Sequence, residues 1–351
     1  MKGFGIIKPT VSVGWVEKEA PKAGLFEAVL EPVALCPCTS DVDTAQENPN
    51  IAPNRILGHE GVGRVVEIGE GVTELQVGDV VAVPAVTPMW RNLDIQDGIH
   101  QHSGGPLGGR YLSSRWDGMF GELFKVPDAD LNLAKIPEGV SLEAALVGDM
   151  VTTGFHGVEL ANVKYGDRVA VIGIGPVGLM SVAGAALRGA AEIFAVGSRP
   201  VTRRLAKEFG ADDTVDYHDA PFTQQLMELT GGKQFDCVII AGGEPTVFND
   251  ALSICKYNGT VANLAGHGRT QTLLPIYTNE SLTFCAHKTV TGGLCPGGRR
   301  RLERLMGICK SGRLQPEKLI TQEFRGFDAI EDAFDLMASK SRELVKPIIY
   351  V

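Results

Sequence analysis

The stretch that decides the fold, residues 167–187, reads DRVAVIGIGPVGLMSVAGAAL. Its uncharged part has about the length of a membrane span, but its internal pattern argues against one. Residues 169–172 form a short β-branched run, which is typical of a strand buried on both faces. The turn Gly173-Ile-Gly175-Pro-Val-Gly178 follows at once, and a helix of small residues comes next. In this setting the G-x-G-x-x-G pattern predicts that the pyrophosphate of a dinucleotide binds at the helix start.

Each glycine of this turn has its own predicted role. Gly173 makes the tight turn, Gly175 lets the backbone approach the pyrophosphate, and Gly178 lets the helix pack close to the strand. Pro176 and Val177 lie between them and are predicted to share the contact with the cofactor. The alternative interpretation is a glycine-rich buried turn that binds nothing.

Length and composition favour an ordinary globular protein with two domains. The 351 residues are too many for one compact core, and 44% hydrophobic and 21% charged residues are typical of soluble proteins. The net charge of −9 disfavours nucleic acid and anionic membranes as partners. The seven cysteines have no regular spacing, and the first residues lack the apolar core of a signal peptide. We therefore expect reduced thiols and a cytoplasmic location.

Residues 3–86 have the pattern of a small β barrel or sandwich, because short β-branched runs such as 62–68 and 80–83 alternate with glycine turns. Cys38 and the sequence Gly58-His59-Glu60 lie within this part. Cysteine, histidine and glutamate all bind zinc, and a catalytic zinc takes three protein ligands and keeps one position open. Cys36 and Cys38 are not a C-x-x-C pair, so a closed four-cysteine site is excluded here.

The remainder of the chain alternates strands and helices. The predicted strands are residues 193–196, 214–217, 237–241 and 261–264, and the predicted helices between them are 202–209, 223–229 and 247–255. Repeated βα units imply a doubly wound parallel sheet. A helix at 301–309, a loop at 314–320 and a closing strand at 345–351 are expected to return the chain to the first domain.

The residues directly after the predicted strand 193–196 bear on the choice of cofactor. An NAD-selective site has an Asp or Glu there, which accepts a hydrogen bond from the ribose 2′-hydroxyl, and none is present. Gly197 makes room, and Ser198 and Arg199 can bind a 2′-phosphate by charge-assisted hydrogen bonds. NADP is therefore favoured over NAD. The alternative for Arg199 is a surface residue after a turn.

The pattern Gly58-His59-Glu60-x-x-Gly63, followed by Gly69 and Val72, resembles the zinc signature of medium-chain alcohol dehydrogenases. The segments 152–157, 196–200 and 292–298 are similar to the branch that contains bacterial tetrameric, NADP-dependent secondary-alcohol dehydrogenases. The resemblance covers nearly the whole chain. It implies an α/β protein with a GroES-like β-barrel catalytic domain at residues 1–153 and 296–351. A doubly wound, parallel-sheet Rossmann domain is implied at residues 154–295.

The same resemblance implies roles for single residues. Cys38, His59 and Asp149 are implied as zinc ligands, and Glu60 as a nearby fourth ligand that substrate or water displaces. Ser40 is implied to pass the alcohol proton outward, and Tyr217 to contact the 2′-phosphate. Many relatives carry four cysteines for a structural zinc in a lobe that corresponds to residues 87–118, where this chain has none. We therefore predict one zinc per subunit.

Three residues depart from the resembled branch. Asp43 stands where close relatives usually have a histidine of the proton relay, so it either continues the relay or caps the helix after Ser40. Arg110 and His267 replace Trp and Tyr in the wall of the substrate pocket. The other predicted lining residues of this pocket are Ser40, Ala85, Leu294 and Cys295. Two basic groups favour an anionic substrate, but Arg110 can instead pair with an acidic residue or face solvent.

The predicted function is that of a zinc-dependent alcohol dehydrogenase or aldehyde reductase. It transfers a hydride between NADP(H) and a small aldehyde, ketone or alcohol that bears a carboxylate or a sulfonate, as sulfoacetaldehyde does. One alternative is an ordinary NADP-dependent secondary-alcohol dehydrogenase for short neutral ketones, and another is a non-catalytic NADPH-binding protein. A zinc-free quinone or enoyl reductase would be expected to lack Cys38 and the Gly58-His59-Glu60 ligands. The resemblance also implies a homotetramer, with residues 284–288 near a neighbouring active site.

Overall fold

The computed structural model describes residues 1–266 and 287–351, which divide into two compact units. The first unit comprises Met1–Thr152 and Cys295–Val351, and the second comprises Thr153–Leu294. The predicted pocket residue His267 lies outside the described residues, as do residues 284–286 of the predicted subunit contact.

The strands and helices are numbered in chain order. The strands are β1 Lys2–Lys8, β2 Ser12–Glu17, β3 Ala28–Leu35, β4 Gly61–Ile68, β5 Val80–Val83, β6 Phe124–Val126, β7 Ala134–Lys135, β8 Arg168–Ile172, β9 Glu192–Val196, β10 Asp213–Val215, β11 Phe235–Ile240, β12 Cys255–Asn263, β13 Thr289–Gly292, β14 Ile320–Arg325 and β15 Lys346–Tyr350. The helices are α1 Thr39–Glu47, α2 Ala129–Asn132, α3 Met150–Leu160, α4 Pro176–Leu187, α5 Pro200–Glu208, α6 Phe222–Leu229, α7 Val247–Ile254, α8 Arg299–Lys310 and α9 Ile330–Ala338. Short 3₁₀ turns lie at Leu93–Asp97, His100–His102, Pro316–Leu319 and Phe327–Ala329, and Tyr111–Arg115 forms a wide, irregular turn.

The first unit is built on a seven-stranded sheet in the order β14-β15-β3-β4-β5-β7, with β6 paired to β3. A separate antiparallel pair, β1 and β2, lies outside this sheet. Strand β15 runs parallel to β14 and antiparallel to β3, so it joins two parts of the unit that are distant in sequence. The rings of Phe4, Phe120 and Phe124 are at most 1% exposed in its core. The β-rich character predicted for residues 3–86 is confirmed.

The second unit contains a six-stranded parallel sheet in the order β10-β9-β8-β11-β12-β13. The strand order reverses between β8 and β11, and ligands of such sheets bind outside the carboxyl ends of the strands at this point. All residues from Val169 to Ile172 in β8 are at most 4% exposed, as predicted for a strand covered on both faces. None of the helices in the described part of the chain has the length and apolarity that a bilayer-spanning helix requires.

Several elements differ from the prediction, and the strands and the loop among them lack a regular hydrophobic pattern. Strand β12 begins six residues earlier than predicted, at Cys255 instead of residue 261, and its early part is exposed. Strand β13, which was not predicted, is mostly exposed and, among the strands of residues 1–266 and 287–351, pairs with β12 alone. The predicted loop at 314–320 contains a short 3₁₀ helix and the first residue of β14. Helix α9 was also missed, although its buried residues Ile330, Ala333 and Phe334 have the i, i+3, i+4 spacing of an amphipathic helix.

Candidate functional site

Three potential metal ligands from distant parts of the sequence lie together in the first unit. Cys38 precedes α1, His59 precedes β4 and Asp149 precedes α3, and their ligand atoms all lie within 4.8 Å of one another. Asp149 Oδ2 is 3.3 Å from Cys38 Sγ and 3.5 Å from His59 Nε2. Tetrahedral zinc with its usual bond lengths separates such ligand atoms by about 3.4–3.6 Å. The donor types and their spacing therefore fit zinc.

Gly58 fixes the direction from which His59 enters this cluster. Its φ of 91° lies in the left-handed region, and a Cβ at this position would lie 2.4 Å from the Phe120 ring. Both the backbone conformation and the close approach of Phe120 therefore require glycine. The first glycine of the zinc signature thus has a structural reason in this chain, which is to bring the imidazole next to Cys38 and Asp149.

Asp41 orients two of the three ligands, and the sequence analysis missed it. Its Oδ1 accepts a hydrogen bond from His59 Nδ1 at 2.9 Å, and its Oδ2 accepts one from the Cys38 amide at 3.1 Å. Because the proton is held on Nδ1, the Nε2 lone pair is available to a metal. Burial alone would raise the pKa of Asp41, but His59 and the hydrogen bonds lower it overall. The carboxylate therefore stays charged beside the imidazole.

Glu60 forms an ion pair with Lys346, a second residue that the sequence analysis missed. Both side chains are almost fully buried, and Lys346 lies at the start of β15. Burial raises the pKa of Glu60 to about 7, and the Lys346 ammonium opposes this shift. A buried charge requires such a partner, because leaving it unpaired costs several kcal/mol. Lys346 therefore holds the carboxylate that was predicted as a nearby fourth ligand.

The predicted relay residues have different positions relative to the ligands. Ser40 Oγ is 3.3 Å from Cys38 Sγ and 3.1 Å from His59 Nε2, so it lies next to the potential metal ligands. Asp43 lies inside α1 and does not cap it, since the helix begins at Thr39. The idea that Asp43 caps the helix is therefore wrong, whereas its place in a relay stays a prediction.

The predicted pocket residues lie in both units. Ala85 is buried, and its amide donates to the carbonyl of Gly148 at 2.9 Å, which places it next to Asp149 in space. Cys295 is buried in the first unit, and Leu294 is the last residue of the second. Arg110 is partly exposed and precedes the wide turn Tyr111–Arg115. Among the described residues, no acidic side chain forms an ion pair with the Arg110 guanidinium.

The second unit contains a cavity of about 560 Å³ beside the glycine turn. Of the predicted cofactor residues, its lining includes Gly173, Gly175, Gly197, Ser198, Arg199 and Tyr217. A Cβ on Gly175 would meet no protein atom within 4 Å, so this backbone faces open space at the start of α4. Such a start presents free amide groups to an anion. The residues therefore fit the pyrophosphate of a dinucleotide.

The other residues of the glycine turn, Pro176, Val177 and Gly178, lie in the first turn of α4. A Cβ on Gly178 would lie 1.9 Å from the Gly173 carbonyl oxygen, so this glycine lets helix and strand pack closely, as predicted. Pro176 and Val177 lie in the first turn of α4 and are not part of the cavity lining. Their predicted contact with the cofactor is therefore not apparent in the cavity.

The group predicted to bind a 2′-phosphate lies along one side of the cavity. Ser198 Oγ donates a hydrogen bond to Tyr217 Oη at 3.0 Å, and Arg199 is the residue immediately before α5. Gly197 also has a packing role that was not predicted. A Cβ there would lie 2.3 Å from Ile174 Cγ1, so the glycine makes room for the Ile174 side chain, and its predicted role beside a 2′-phosphate stays a prediction.

Comparisons with known proteins agree with both parts of the site. Residues 25–138 match the family model for the alcohol dehydrogenase GroES-like domain, and residues 176–311 match that for zinc-binding dehydrogenases. The chain is 52% identical to the NADP-dependent isopropanol dehydrogenase of Thermoanaerobacter brockii and 47% identical to that of Clostridium beijerinckii, over 99% of each chain. A solved structure of zinc dependent alcohol dehydrogenase 2 from Streptococcus pneumonia is 30% identical, with a TM-score of 0.89 over 100% of this chain and 98% of that one.

Proposed function

Because this chain belongs to the family of zinc-dependent medium-chain alcohol dehydrogenases, we propose that it interconverts short neutral secondary alcohols and their ketones with NADP(H). Family membership confirms the predicted enzyme class, the fold class and the two cofactors, zinc and NADP(H). The observation that supports this substrate class is the near full-length similarity to relatives named isopropanol dehydrogenases. It favours the neutral-ketone alternative over the anionic substrate of the sequence analysis.

The residues of the first unit supply the catalytic groups in this proposal. Cys38, His59 and Asp149 hold the zinc, with His59 oriented by Asp41. Zinc held there would supply Lewis-acid polarisation of the substrate oxygen, and NADPH in the second unit would supply the hydride. Ser40 Oγ, 3.1 Å from His59 Nε2, holds the proton that the product alcohol takes up. The catalytic domain is thus assigned to residues 1–152 and 295–351, within one residue of the predicted bounds.

The second unit, residues 153–294, binds the cofactor in this proposal. The amide groups at the start of α4 bind the pyrophosphate, and the open space beside Gly175 lets the phosphates approach the backbone. Ser198, Arg199 and Tyr217 bind the 2′-phosphate, which NAD lacks. An arginine fork and two hydroxyl groups satisfy a phosphate dianion, whereas a bare ribose hydroxyl would leave the arginine without a charged partner.

A carbonyl compound with a carboxylate or a sulfonate is the second candidate substrate. The observation that favours it is Arg110, whose guanidinium has no acidic partner within residues 1–266 and 287–351. A bound anion would provide that partner. In this second proposal, Arg110 and His267 recognise the anionic group, and the chemistry at the carbonyl carbon is unchanged.

The test compares kcat/KM for acetone and 2-butanone with that for sulfoacetaldehyde and succinic semialdehyde, using NADPH. Wild type, Arg110→Trp and the control Arg300→Trp are measured; the Arg300 side chain is 90% exposed. We expect wild type and Arg300→Trp to prefer the neutral ketones. A wild-type preference for the anions that is lost only in Arg110→Trp would overturn the first proposal and establish the second.

We also propose a homotetramer that holds one zinc per subunit, and a cytoplasmic location. The homotetramer and the location rest on the sequence analysis, and the zinc count rests on the absence of cysteine from residues 87–118. Light scattering combined with elemental analysis tests the first two points, with four chains and four zinc ions as the expected result. A fully active monomer, or two zinc ions per chain, contradicts them.

A further inference from the structure

We propose that Asp250 selects the base of the cofactor by accepting a hydrogen bond from the exocyclic amino group of adenine. The inference rests on the proposed use of NADP(H) and adds a specificity determinant that lies outside the glycine turn and the 2′-phosphate group. It concerns only residues of the second unit. It starts from a part of the cavity wall that belongs neither to the glycine turn nor to the residues proposed to bind the 2′-phosphate.

The remaining wall of the cavity comes mainly from the loop after β11 and from α7. This part of the wall includes Phe222, Gly242, Gly243, Glu244, Thr246, Val247 and Asp250. Val247 is 5% exposed, and Phe222 is partly buried, so this wall offers apolar surface. A planar base joined to the ribose that carries the 2′-phosphate requires such a surface next to that phosphate. The wall therefore matches the adenine end of the dinucleotide.

Asp250 is the polar group of this wall that still requires a partner. It lies in the first turn of α7 and is half-buried, and its carboxylate has no hydrogen-bond or ion-pair partner among the described residues. Burial is the only influence on its pKa, which it raises. A carboxylate deprived of part of its water and left without a donor is unfavourable. The structure thus leaves an acceptor facing the cavity.

The ligand must supply a donor to this acceptor. A pyrophosphate and a 2′-phosphate repel a nearby carboxylate, so Asp250 weakens cofactor binding unless a donor offsets the repulsion. The ring nitrogens of adenine that face outward are acceptors, and its amino group is the donor of the base. The carboxamide of nicotinamide is also a donor, but it lies at the opposite end of the cofactor. The ribose 3′-hydroxyl is a further donor, but it lies beside the 2′-phosphate, whereas Asp250 belongs to the wall with apolar surface that fits the base. The amino group of adenine is therefore the match.

The experiment compares NADPH with its hypoxanthine analogue, in which an oxygen atom replaces the amino group. Dissociation constants are measured by nicotinamide fluorescence for wild type, Asp250→Ala and Asp250→Asn. We expect wild type to bind NADPH about tenfold more tightly than the analogue, because a charged hydrogen bond is lost. In Asp250→Ala the two affinities should agree within about twofold. Asp250→Asn should also lower the ratio, since its amide can donate to the analogue's oxygen.

Glu244→Gln is the matched control, because Glu244 lies at the exposed part of the same wall and the variant removes the same charge. A change in general electrostatics affects both ligands equally, so the affinity ratio should remain at the wild-type value in this control. A wild-type ratio near one, or a ratio that Asp250→Ala leaves unchanged, overturns the inference. Either result leaves the proposed function standing, because oxidation of isopropanol with NADP⁺ is measured independently.

Discussion

Asp41→Asn should weaken zinc binding while the protein remains folded. The buried carboxylate accepts hydrogen bonds from His59 Nδ1 at 2.9 Å, from the Cys38 amide at 3.1 Å and from the Gly58 amide at 3.2 Å. Asparagine keeps the volume but has one acceptor oxygen, so its amino group meets a donor. Loss of such a partner typically costs about 10–100-fold in metal affinity, which is about 1.4–2.7 kcal/mol.

Competition with a chromogenic chelator measures this zinc affinity, and thermal unfolding of the metal-free protein checks the fold. The control is Glu47→Gln, which makes the same kind of change at an exposed position of the same helix, α1. We expect a tenfold or greater rise in the zinc dissociation constant for Asp41→Asn, a smaller kcat because less metal is bound, and no change for Glu47→Gln. Equal zinc affinity of Asp41→Asn and wild type would refute the orienting role of Asp41.

Three further predictions concern other parts of the protein. Chelation of zinc should make Cys38 react with iodoacetamide, whereas Cys237 should stay unreactive because burial raises its pKa to about 12; equal labelling of Cys38 with and without zinc would contradict its role as a ligand. Arg199→Ala should weaken NADPH by about tenfold or more and leave NADH nearly unchanged, and a parallel loss for both cofactors would show that Arg199 does not contact the 2′-phosphate. Burial alone raises the pKa of Asp236, but Lys256 and the Arg168 amide lower it overall, so its stabilisation should be present above about pH 4 and lost as the pH falls further. The difference in free energy of unfolding between wild type and Asp236→Asn should therefore shrink in acid, and a difference that stays constant from pH 7 to pH 3 speaks against this ion pair.

The parts of the protein that could be predicted from the sequence are those whose conformation is determined by residues close together in the chain. The glycine turn follows from backbone sterics and from the anion-binding start of α4, and the close packing at Gly178 and the open space at Gly175 agree with the roles predicted for them. The packing role of Gly197 was missed because its neighbour, the Ile174 side chain, comes from another turn. A single sequence does not show which side chain fills the space that a glycine leaves.

The residues that were missed act through contacts between distant segments. Asp41 follows Cys38 by one helical turn, a spacing that many helix starts share, and only the folded chain brings it to His59. Lys346 is a basic residue in a closing strand, where sequence alone favours an exposed position, yet it is buried against Glu60. The family resemblance pointed to the candidate ligands Cys38, His59 and Asp149, which the fold brings together, but the charges that hold them are set by tertiary structure.

The discontinuity of the first unit has a consequence for biosynthesis. The second unit is one continuous segment, so it can fold on the ribosome as soon as it has emerged, because domains generally fold as units during synthesis. The first unit has to wait for β14 and β15, since β15 pairs with β3. Until then a nascent chain carries Glu60 without its cation, and the edge of β3 is unpaired at Ala34 and Leu35, the two residues that pair with β15. An unpaired strand edge is a template for aggregation. The first unit can therefore complete its sheet and its buried ion pair only after the segment that contains Lys346 has left the ribosome.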